Sequence, residues 1–188
     1  MKIPNILTLL RILLIPVFVV VYYLPIEEAR LFAAALFALA AVTDWFDGYL
    51  ARKLEQTSPF GAFLDPVADK LIVAAALVVL VDTYSRELQT WPVLTAAPAI
   101  VIIGREIVIS ALREWMAEMG SRAQVAVSNI GKIKTTLQML AILVLLGAIP
   151  GSGMAWFGIA TLYAATVLTL WSMFVYLRAA WPHLSEDI

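Results

Sequence analysis

Long apolar runs limit the folding of this chain more than any other feature of its sequence. A helix rises about 1.5 Å per residue, so about 20 apolar residues cross the roughly 30 Å hydrocarbon core of a bilayer. Runs of this kind fill most of the 188 residues, of which 62% are hydrophobic and 14% charged. An ordinary soluble domain carries roughly 25% charged residues. The sequence therefore predicts an all-α integral membrane protein.

Charged and turn residues divide the apolar sequence into six predicted transmembrane helices. Their predicted spans are residues 6–24, 29–50, 62–81, 91–116, 125–146 and 154–177. The connections are short, which predicts antiparallel packing of neighbouring helices. We expect residues 1–181 to form a single domain and residues 182–188 to form a short polar tail.

Basic residues lie mainly at alternate connections between the predicted helices. The intervening connections hold only Arg30 and Arg86. Because Lys and Arg are enriched in cytoplasmic loops, both termini and the loop after the second helix are predicted to be cytoplasmic. The basic residues on that side are Lys2, Arg52, Lys53, Arg113, Arg122, Lys132 and Lys134.

The rest of the composition excludes several kinds of site. The chain has no cysteine, which excludes disulfides and thiolate metal sites. Its net charge of -1 indicates no general affinity for nucleic acid.

Acidic residues near the end of the second predicted helix share one face. Asp44, Asp47, Gly48 and Ala51 follow the i, i+3, i+4, i+7 spacing of a helix face. The small Gly48 and Ala51 leave space beside the two carboxylates. Because a charged group is costly in a bilayer, acids in this position indicate a functional site.

A second acidic group follows the predicted cytoplasmic loop. Gly61, Asp65 and Asp69 recur at every fourth position, which predicts one face if the segment is helical. Pro66 disfavours a helical conformation at Asp65, so an alternative is that Asp65 caps a helix beginning at Pro66. In both cases we expect the helical hairpin to bring the two acidic groups together.

Carboxylates in such a cluster need cations if they are to be ionised together. Oxygen ligands without a neighbouring His or Cys favour hard ions such as Mg²⁺, Mn²⁺ or Ca²⁺. Two such ions in an open, cytoplasm-facing site suit phosphoryl transfer, because metals hold a diphosphate and stabilise its reacting oxygens. A carboxylate at the edge of the cluster can then deprotonate an acceptor hydroxyl.

These residues together resemble the signature of the CDP-alcohol phosphotransferases at every position and gap. The residues that carry the resemblance are Asp44, Asp47, Gly48, Ala51, Arg52, Gly61, Asp65 and Asp69. The resemblance implies a fold of six transmembrane helices, usually as a homodimer. It also implies two divalent ions, Mg²⁺ or Mn²⁺, and a reaction in which an alcohol displaces CMP from a CDP-linked substrate.

The same resemblance implies roles for individual residues. Asp69 is expected to act as a metal ligand and as the general base. Arg11 belongs with the family's short motif in the first helix and is expected near the nucleotide or diphosphate. The implied metal ligands are Asp44, Asp47, Asp65 and Asp69, and the implied nucleotide or diphosphate contacts are Asn5, Thr8, Gly48, Arg52 and Gly61.

Further segments resemble a bacterial branch of this family. They are residues 4–11, 104–107, 110–115, 131–135 and 170–173. This second resemblance implies CDP-diacylglycerol as the donor, sn-glycerol 3-phosphate as the acceptor and CMP as a product. The implied location is the bacterial cytoplasmic (inner) membrane, with the active site toward the cytoplasm.

Basic residues supply the charge that a phosphorylated acceptor needs. Arg105 and Arg113 lie near one face of the fourth predicted helix, and Lys132 and Lys134 open the fifth. The fork of an Arg side chain donates two parallel hydrogen bonds to a phosphate. We hypothesise that Arg105, Arg113, Lys132 and Lys134 bind the acceptor phosphate.

Each assignment has a purely structural alternative. The carboxylates can cap helices and form ion pairs, and Arg105 and Arg113 can pair with nearby glutamates. Lys132 and Lys134 can serve only to hold the loop in the cytoplasm, and Arg11 can extend to the membrane interface. The partners in these alternatives are Arg52, Lys53 and Lys70 for the carboxylates and Glu106, Glu114 and Glu118 for the arginines.

Two kinds of rival function stay open. Sister enzymes that share the motif, the cardiolipin, phosphatidylinositol-phosphate and phosphatidylserine synthases, differ in the acceptor that they bind. A cation or proton transporter is the rival from a different class. Transporters often place the ion site at the bilayer midplane between inverted repeats, whereas this chain shows no convincing repeat.

Overall fold

The computed structural model describes residues 3–53, 59–88, 93–119 and 129–184, which form six helices and no strand. The side chains of residues 3, 4, 45–53, 59, 62, 129, 130, 132 and 182–184 lie outside that description. The helices are α1 Ile3–Tyr22, α2 Ala29–Lys53, α3 Pro59–Glu87, α4 Val93–Glu118, α5 Asn129–Gly147 and α6 Gly153–Leu184. The predicted all-α, six-helix architecture is confirmed.

Three of these helices meet the length and hydropathy expected of a membrane span within the described residues. They are Asn5–Tyr22 in α1, Val93–Glu118 in α4 and Gly153–Trp181 in α6. A shorter apolar helix covers Ile133–Gly147.

The start of α3 differs from the alternative in which Asp65 is a cap. The helix begins at Pro59 and continues through Pro66, so Asp65 lies inside it and a helix start at Pro66 is wrong. Pro66 lacks an N–H and removes one helical hydrogen bond. Leu64 and Ala68, two residues before and after it in the sequence, are buried, and burial against neighbouring helices keeps a membrane helix continuous across a proline.

The observed ends of other helices differ from the predicted ends. Helix α3 extends to Glu87, beyond the predicted end at residue 81, and α6 extends to Leu184, beyond residue 177. Helix α5 begins at Asn129, and residues 125–128 of its predicted span lie outside the described part of the chain.

The contacts between helices define the arrangement of the bundle. Helix α1 packs on α2 and α3, α4 packs on α3 and α6, and α5 packs on α2 and α6. Small residues bring the backbones close: a Cβ on Gly158 of α6 would lie 2.8 Å from the side chain of buried Leu145 in α5. The turn between these two helices places Gly151 at a φ of 83°, a conformation that favours glycine.

The apolar core fills the middle of the bundle and its polar contacts lie toward the ends. Core side chains with at most 1% exposure include Phe18, Phe37, Leu77, Leu80, Ile142 and Leu145. One end brings together the beginnings of α1, α3 and α5 with the ends of α2, α4 and α6, and we call it the site end. The opposite end, which holds Tyr23 and Asp82, we call the far end.

Candidate active site

Two adjoining cavities open at the site end. The first, of about 400 Å³, is bordered by Arg11, Asp44 and Asp69, and we call it the carboxylate cavity. The second, of about 200 Å³, we call the cationic cavity; its charged lining residues are Asp69, Lys70, Arg105, Glu106, Arg113 and Lys134. Asp69 borders both cavities, so it lies where a group bound in one can meet a group bound in the other.

Helix α1 holds one carboxylate from each of the two acidic helices. Arg11 is 1% exposed, and its Nη1 donates to Asp44 Oδ1 in α2 at 2.5 Å. The fully buried Thr8 hydroxyl donates to Asp65 Oδ1 in α3 at 2.7 Å. Because Thr8 and Arg11 are three residues apart, one face of α1 makes both contacts. The alternative in which Arg11 extends to the membrane interface is therefore wrong.

The remaining nucleotide residues of the sequence prediction fall into two groups. Asn5 and Gly61 are buried near the starts of α1 and α3. The backbone of Gly48 and Arg52 is helical, but their side-chain surroundings, like those of Asp47, lie outside the described part of the molecule.

The carboxylate cavity offers oxygen donors of the kind that bind divalent cations. Asp44 and Asp69 line it together, and carboxylate oxygens are the donors that Mg²⁺ and Mn²⁺ prefer. Among the described side chains, which do not include Asp47, no group of three or more acidic or histidine residues has the geometry of a metal site. The structure thus brings two predicted ligands to one cavity and ties Asp65 to α1. The chemistry of this donor set fits a hard divalent cation.

The cationic cavity holds two buried basic groups that share one carboxylate oxygen. Arg105 Nη1 and Lys134 Nζ both donate to Glu106 Oε1, at 2.8 and 2.9 Å. The side chains of Arg105 and Lys134 are 7% and 5% exposed. The pairing of Arg105 with Glu106, expected as a structural alternative, does occur, but it lies within a cavity in which cations outnumber carboxylates. An anion such as phosphate would therefore be attracted to this cavity.

Helix α6 orients both arginines of α4. Arg105 Nη2 donates to Ser172 Oγ at 3.2 Å, and Arg113 Nη2 donates to the Tyr176 hydroxyl at 3.2 Å. The Tyr176 ring also lies beneath both guanidinium groups, with its centroid 5.6 Å from Arg105 Cζ and 5.2 Å from Arg113 Cζ. Such cation–π contacts strengthen when they are shielded from water. The side chain of Lys132 lies outside the described part of α5.

Sequence reasoning missed the supporting residues of the cationic cavity. Glu106 was considered only as an ion-pair partner, and Tyr176 and Gln138 were not singled out. A pattern was present, because Ser172 and Tyr176 are four residues apart and so share a face of α6. That pattern does not reveal which helix this face meets, and the packing of α6 on α4 supplies the missing information.

Comparison with known proteins identifies the family and the relatives that this chain resembles. Residues 1–175 match the family model described as CDP-alcohol phosphatidyltransferase. A Pseudomonas fluorescens protein named CDP-diacylglycerol--glycerol-3-phosphate 3-phosphatidyltransferase is 56% identical over 190 residues, covering 100% of this chain and 94% of that protein. Proteins of the same name from Sodalis glossinidius (strain morsitans) and Pectobacterium atrosepticum are each 55% identical, covering 99% and 98% of this chain and 98% of each relative.

Proposed function

We infer the reaction of this protein from its family: the chain belongs to the CDP-alcohol phosphatidyltransferases. We propose that it transfers the phosphatidyl group of CDP-diacylglycerol to sn-glycerol 3-phosphate, giving phosphatidylglycerophosphate and CMP. The observation that carries this proposal is 55–56% identity over nearly the full length of relatives that are named for that reaction. The two joined cavities support it, because the reaction must hold a phosphorylated acceptor beside a nucleotide diphosphate.

The cationic cavity is the proposed acceptor site. Glycerol 3-phosphate is an anion, and buried Arg105 and Lys134 lie beside Arg113 in that cavity. Charge-assisted hydrogen bonds from these groups would hold the phosphate and leave the glycerol hydroxyls toward Asp69. Lys132 is proposed to add charge at the start of α5.

The carboxylate cavity is the proposed donor site. Asp44, Asp47, Asp65 and Asp69 would hold two Mg²⁺ or Mn²⁺ ions, which neutralise the diphosphate and stabilise the departing CMP oxygen when bound. The proposed nucleotide or diphosphate contacts are Asn5, Thr8, Gly48, Arg52 and Gly61. The contact of Thr8 with Asp65 supports this, because it places the nucleotide motif of α1 against a proposed metal ligand.

Asp69 is proposed to accept the proton of the attacking hydroxyl. The C1 oxygen of the acceptor forms a bond to the phosphorus that carries diacylglycerol, while the bond from that phosphorus to the CMP oxygen breaks. The hydroxyl proton passes to an Asp69 carboxylate oxygen. The position of Asp69 between the two cavities supports this role, since a general base must lie within reach of the acceptor hydroxyl.

The same proposal includes the setting of the enzyme. The described part of the chain includes three long apolar helices suited to a membrane, and we propose the bacterial cytoplasmic membrane with the site end toward the cytoplasm. The bias of basic residues toward that end supports this orientation. The six helices are proposed to form one catalytic domain, and a homodimer is proposed from the family.

A direct assay tests the reaction. Detergent-purified protein is given CDP-diacylglycerol and Mg²⁺, with glycerol 3-phosphate, inositol phosphate, serine or phosphatidylglycerol added separately, and CMP release is measured. We expect release with glycerol 3-phosphate alone and loss of activity with EDTA. Release only with another acceptor would identify a sister enzyme. No release with any acceptor from folded protein would favour the transporter.

A further inference from the structure

The cationic cavity contains a buried hydrogen-bond acceptor among its many donors. Gln138 of α5 lines the cavity and is 5% exposed. Its Oε1 is buried and has no hydrogen-bond partner among the described residues. Leaving such an atom unpaired is costly, and buried polar groups without partners are uncommon in native structures. The cavity therefore contains a hydrogen-bond acceptor, Gln138 Oε1, that a donor group on a bound ligand can satisfy.

A phosphate group cannot supply that donor. The oxygens of a phosphate dianion are hydrogen-bond acceptors, so they suit Arg105 and Lys134 but repel a carbonyl oxygen. The terminal nitrogens of the nearby basic groups bond elsewhere: Glu106 accepts from both Arg105 and Lys134, and Ser172 accepts from Arg105. The buried Nε of Arg105 also has no partner among the described residues, so it makes no hydrogen bond to Gln138 Oε1. A ligand that satisfies Gln138 Oε1 must carry an O–H or N–H group close to its phosphate.

The spacing along α5 fits a small hydroxylated phosphate. Lys134 and Gln138 are four residues apart, so they lie on one face and about 6 Å apart along the helix axis. Asp69 of α3 lies at the boundary of the same cavity. In glycerol 3-phosphate the C2 hydroxyl lies between the phosphate and the attacking C1 hydroxyl. With the phosphate at Lys134 and the C1 hydroxyl at Asp69, the C2 hydroxyl is the donor that remains.

We propose that Gln138 is a specificity-determining residue whose side-chain carbonyl accepts a hydrogen bond from the C2 hydroxyl of the acceptor. This inference rests on the proposed function and on the placement of the acceptor in the cationic cavity. Gln138 thereby selects acceptors that carry a hydroxyl next to the phosphate-bearing carbon. The basic residues select for the phosphate itself and do not distinguish these acceptors.

The test removes each partner of the hydrogen bond in turn: the Gln138 amide by substitution and the C2 hydroxyl by use of a substrate analogue. Wild type and Gln138→Met are compared with glycerol 3-phosphate and with 1,3-propanediol monophosphate, which has the attacking hydroxyl but lacks the C2 hydroxyl. Methionine has a similar length and no amide. We expect wild type to favour glycerol 3-phosphate by about tenfold or more in kcat/KM, because a site built for a hydroxyl rejects the analogue without it. In Gln138→Met that preference should fall toward one, mainly through lower kcat/KM for glycerol 3-phosphate.

A second variant separates the hydroxyl contact from the electrostatics of the cavity. Gln138→Glu keeps an acceptor oxygen but adds negative charge beside the phosphate site. We expect it to raise the KM of both acceptors while it retains the preference for glycerol 3-phosphate. Leu140→Met is the matched control, because Leu140 lies on the same helix and is 43% exposed. It should leave kcat/KM unchanged for both acceptors.

The outcomes distinguish this inference from the proposed function. Equal losses for both acceptors in Gln138→Met, with the wild-type preference retained, would give Gln138 a structural role and overturn the inference while the reaction stands. CMP release only with an acceptor other than glycerol 3-phosphate would overturn both. A preference that disappears in Gln138→Met but persists in Gln138→Glu and Leu140→Met would establish the contact.

Discussion

Both ends of the helix bundle carry ion pairs, but the cations of the described pairs are buried at the site end and exposed to water at the far end. At the far end, Arg30 pairs with Glu87 and Arg86 pairs with Asp82, each at 2.8 Å. These side chains are at least 27% exposed. Pairs of this kind contribute at most about 1 kcal/mol to stability because water screens them. The far end pairs its two arginines in water-exposed contacts, and its other acids, Glu27 and Glu28, are exposed as well.

The site end has the opposite arrangement. Arg105 and Lys134 are buried and converge on the single carboxylate of Glu106, while Asp44 and Asp69 lie together in the adjoining cavity. Two cations on one carboxylate leave positive charge for a substrate phosphate, and the neighbouring acids leave negative charge for divalent ions. The imbalance of buried charge, more than the number of charged residues, identifies the functional end.

The largest expected effect of a substitution is on turnover. Asp69→Asn keeps the shape of the side chain but removes its charge and its ability to accept the proton. We expect kcat for CMP release to fall by at least about a hundredfold at saturating substrates. The matched far-end variant, Asp82→Asn, should retain wild-type kcat. Full turnover by Asp69→Asn would refute its role as general base.

The next effect is on acceptor affinity. Arg105→Gln removes a buried charge that would bond the acceptor phosphate, and hydrogen bonds to charged groups contribute about 1.5–3 kcal/mol. We expect the KM for glycerol 3-phosphate to rise by about tenfold or more, measured at saturating CDP-diacylglycerol. Arg86→Gln at the far end should leave this KM unchanged. An unchanged KM in Arg105→Gln would remove that residue from the acceptor site.

A smaller effect is expected where Tyr176 supports the two arginines. Tyr176→Phe keeps the ring beneath both guanidinium groups and loses only the hydroxyl that accepts from Arg113, so KM should rise by a few-fold at most. Tyr176→Leu also removes the ring and should raise KM further. Tyr163→Phe, on the same helix and 38% exposed, is the control. Equal effects of the Phe and Leu variants would argue against a contribution from the ring.

A still smaller effect is expected from the far-end ion pair. Arg30→Gln, Glu87→Gln and the double variant form a cycle whose coupling energy should not exceed about 1 kcal/mol. Thermal unfolding in detergent measures this coupling. CMP release should be unchanged in all three variants. Loss of release in the single variants would show that the two ends are coupled, contrary to the comparison above.

The smallest effect concerns alkaline pH at the far end. The partial burial of Tyr23 and the hydrogen bond that it donates to Asp82 raise the pKa of Tyr23 to about 12, above the ordinary value of 10.0. A raised tyrosine pKa gives stability that is present below pH 10 and is lost as the pH rises toward 12. Between these values the Tm of wild type should fall slightly more than that of Tyr23→Phe. Parallel curves for the two proteins would contradict this linkage.

Much of the fold and part of the site could be predicted from the sequence because they depend on local patterns. The number of helices follows from the apolar runs, and the shared face of the acidic residues follows from their spacing. The alternative for Asp65 was wrong because it followed from the local steric preference of Pro66, whereas α3 continues through Pro66 with Leu64 and Ala68 buried on either side of it in the sequence. The hypothesis that Arg105, Arg113 and Lys134 act together gains support from their shared cavity.

By itself, the sequence determined the helical membrane class, the family and the kinds of residue available for chemistry, because span length and motif spacing are properties of neighbouring residues. Only the tertiary structure decided the partners: Arg11 with Asp44, Glu106 with Lys134, and Tyr176 with Arg113. These contacts join different helices, so they depend on how each helix is rotated and where it packs. Periodicity defines a face of a helix, but the folded bundle determines what that face meets.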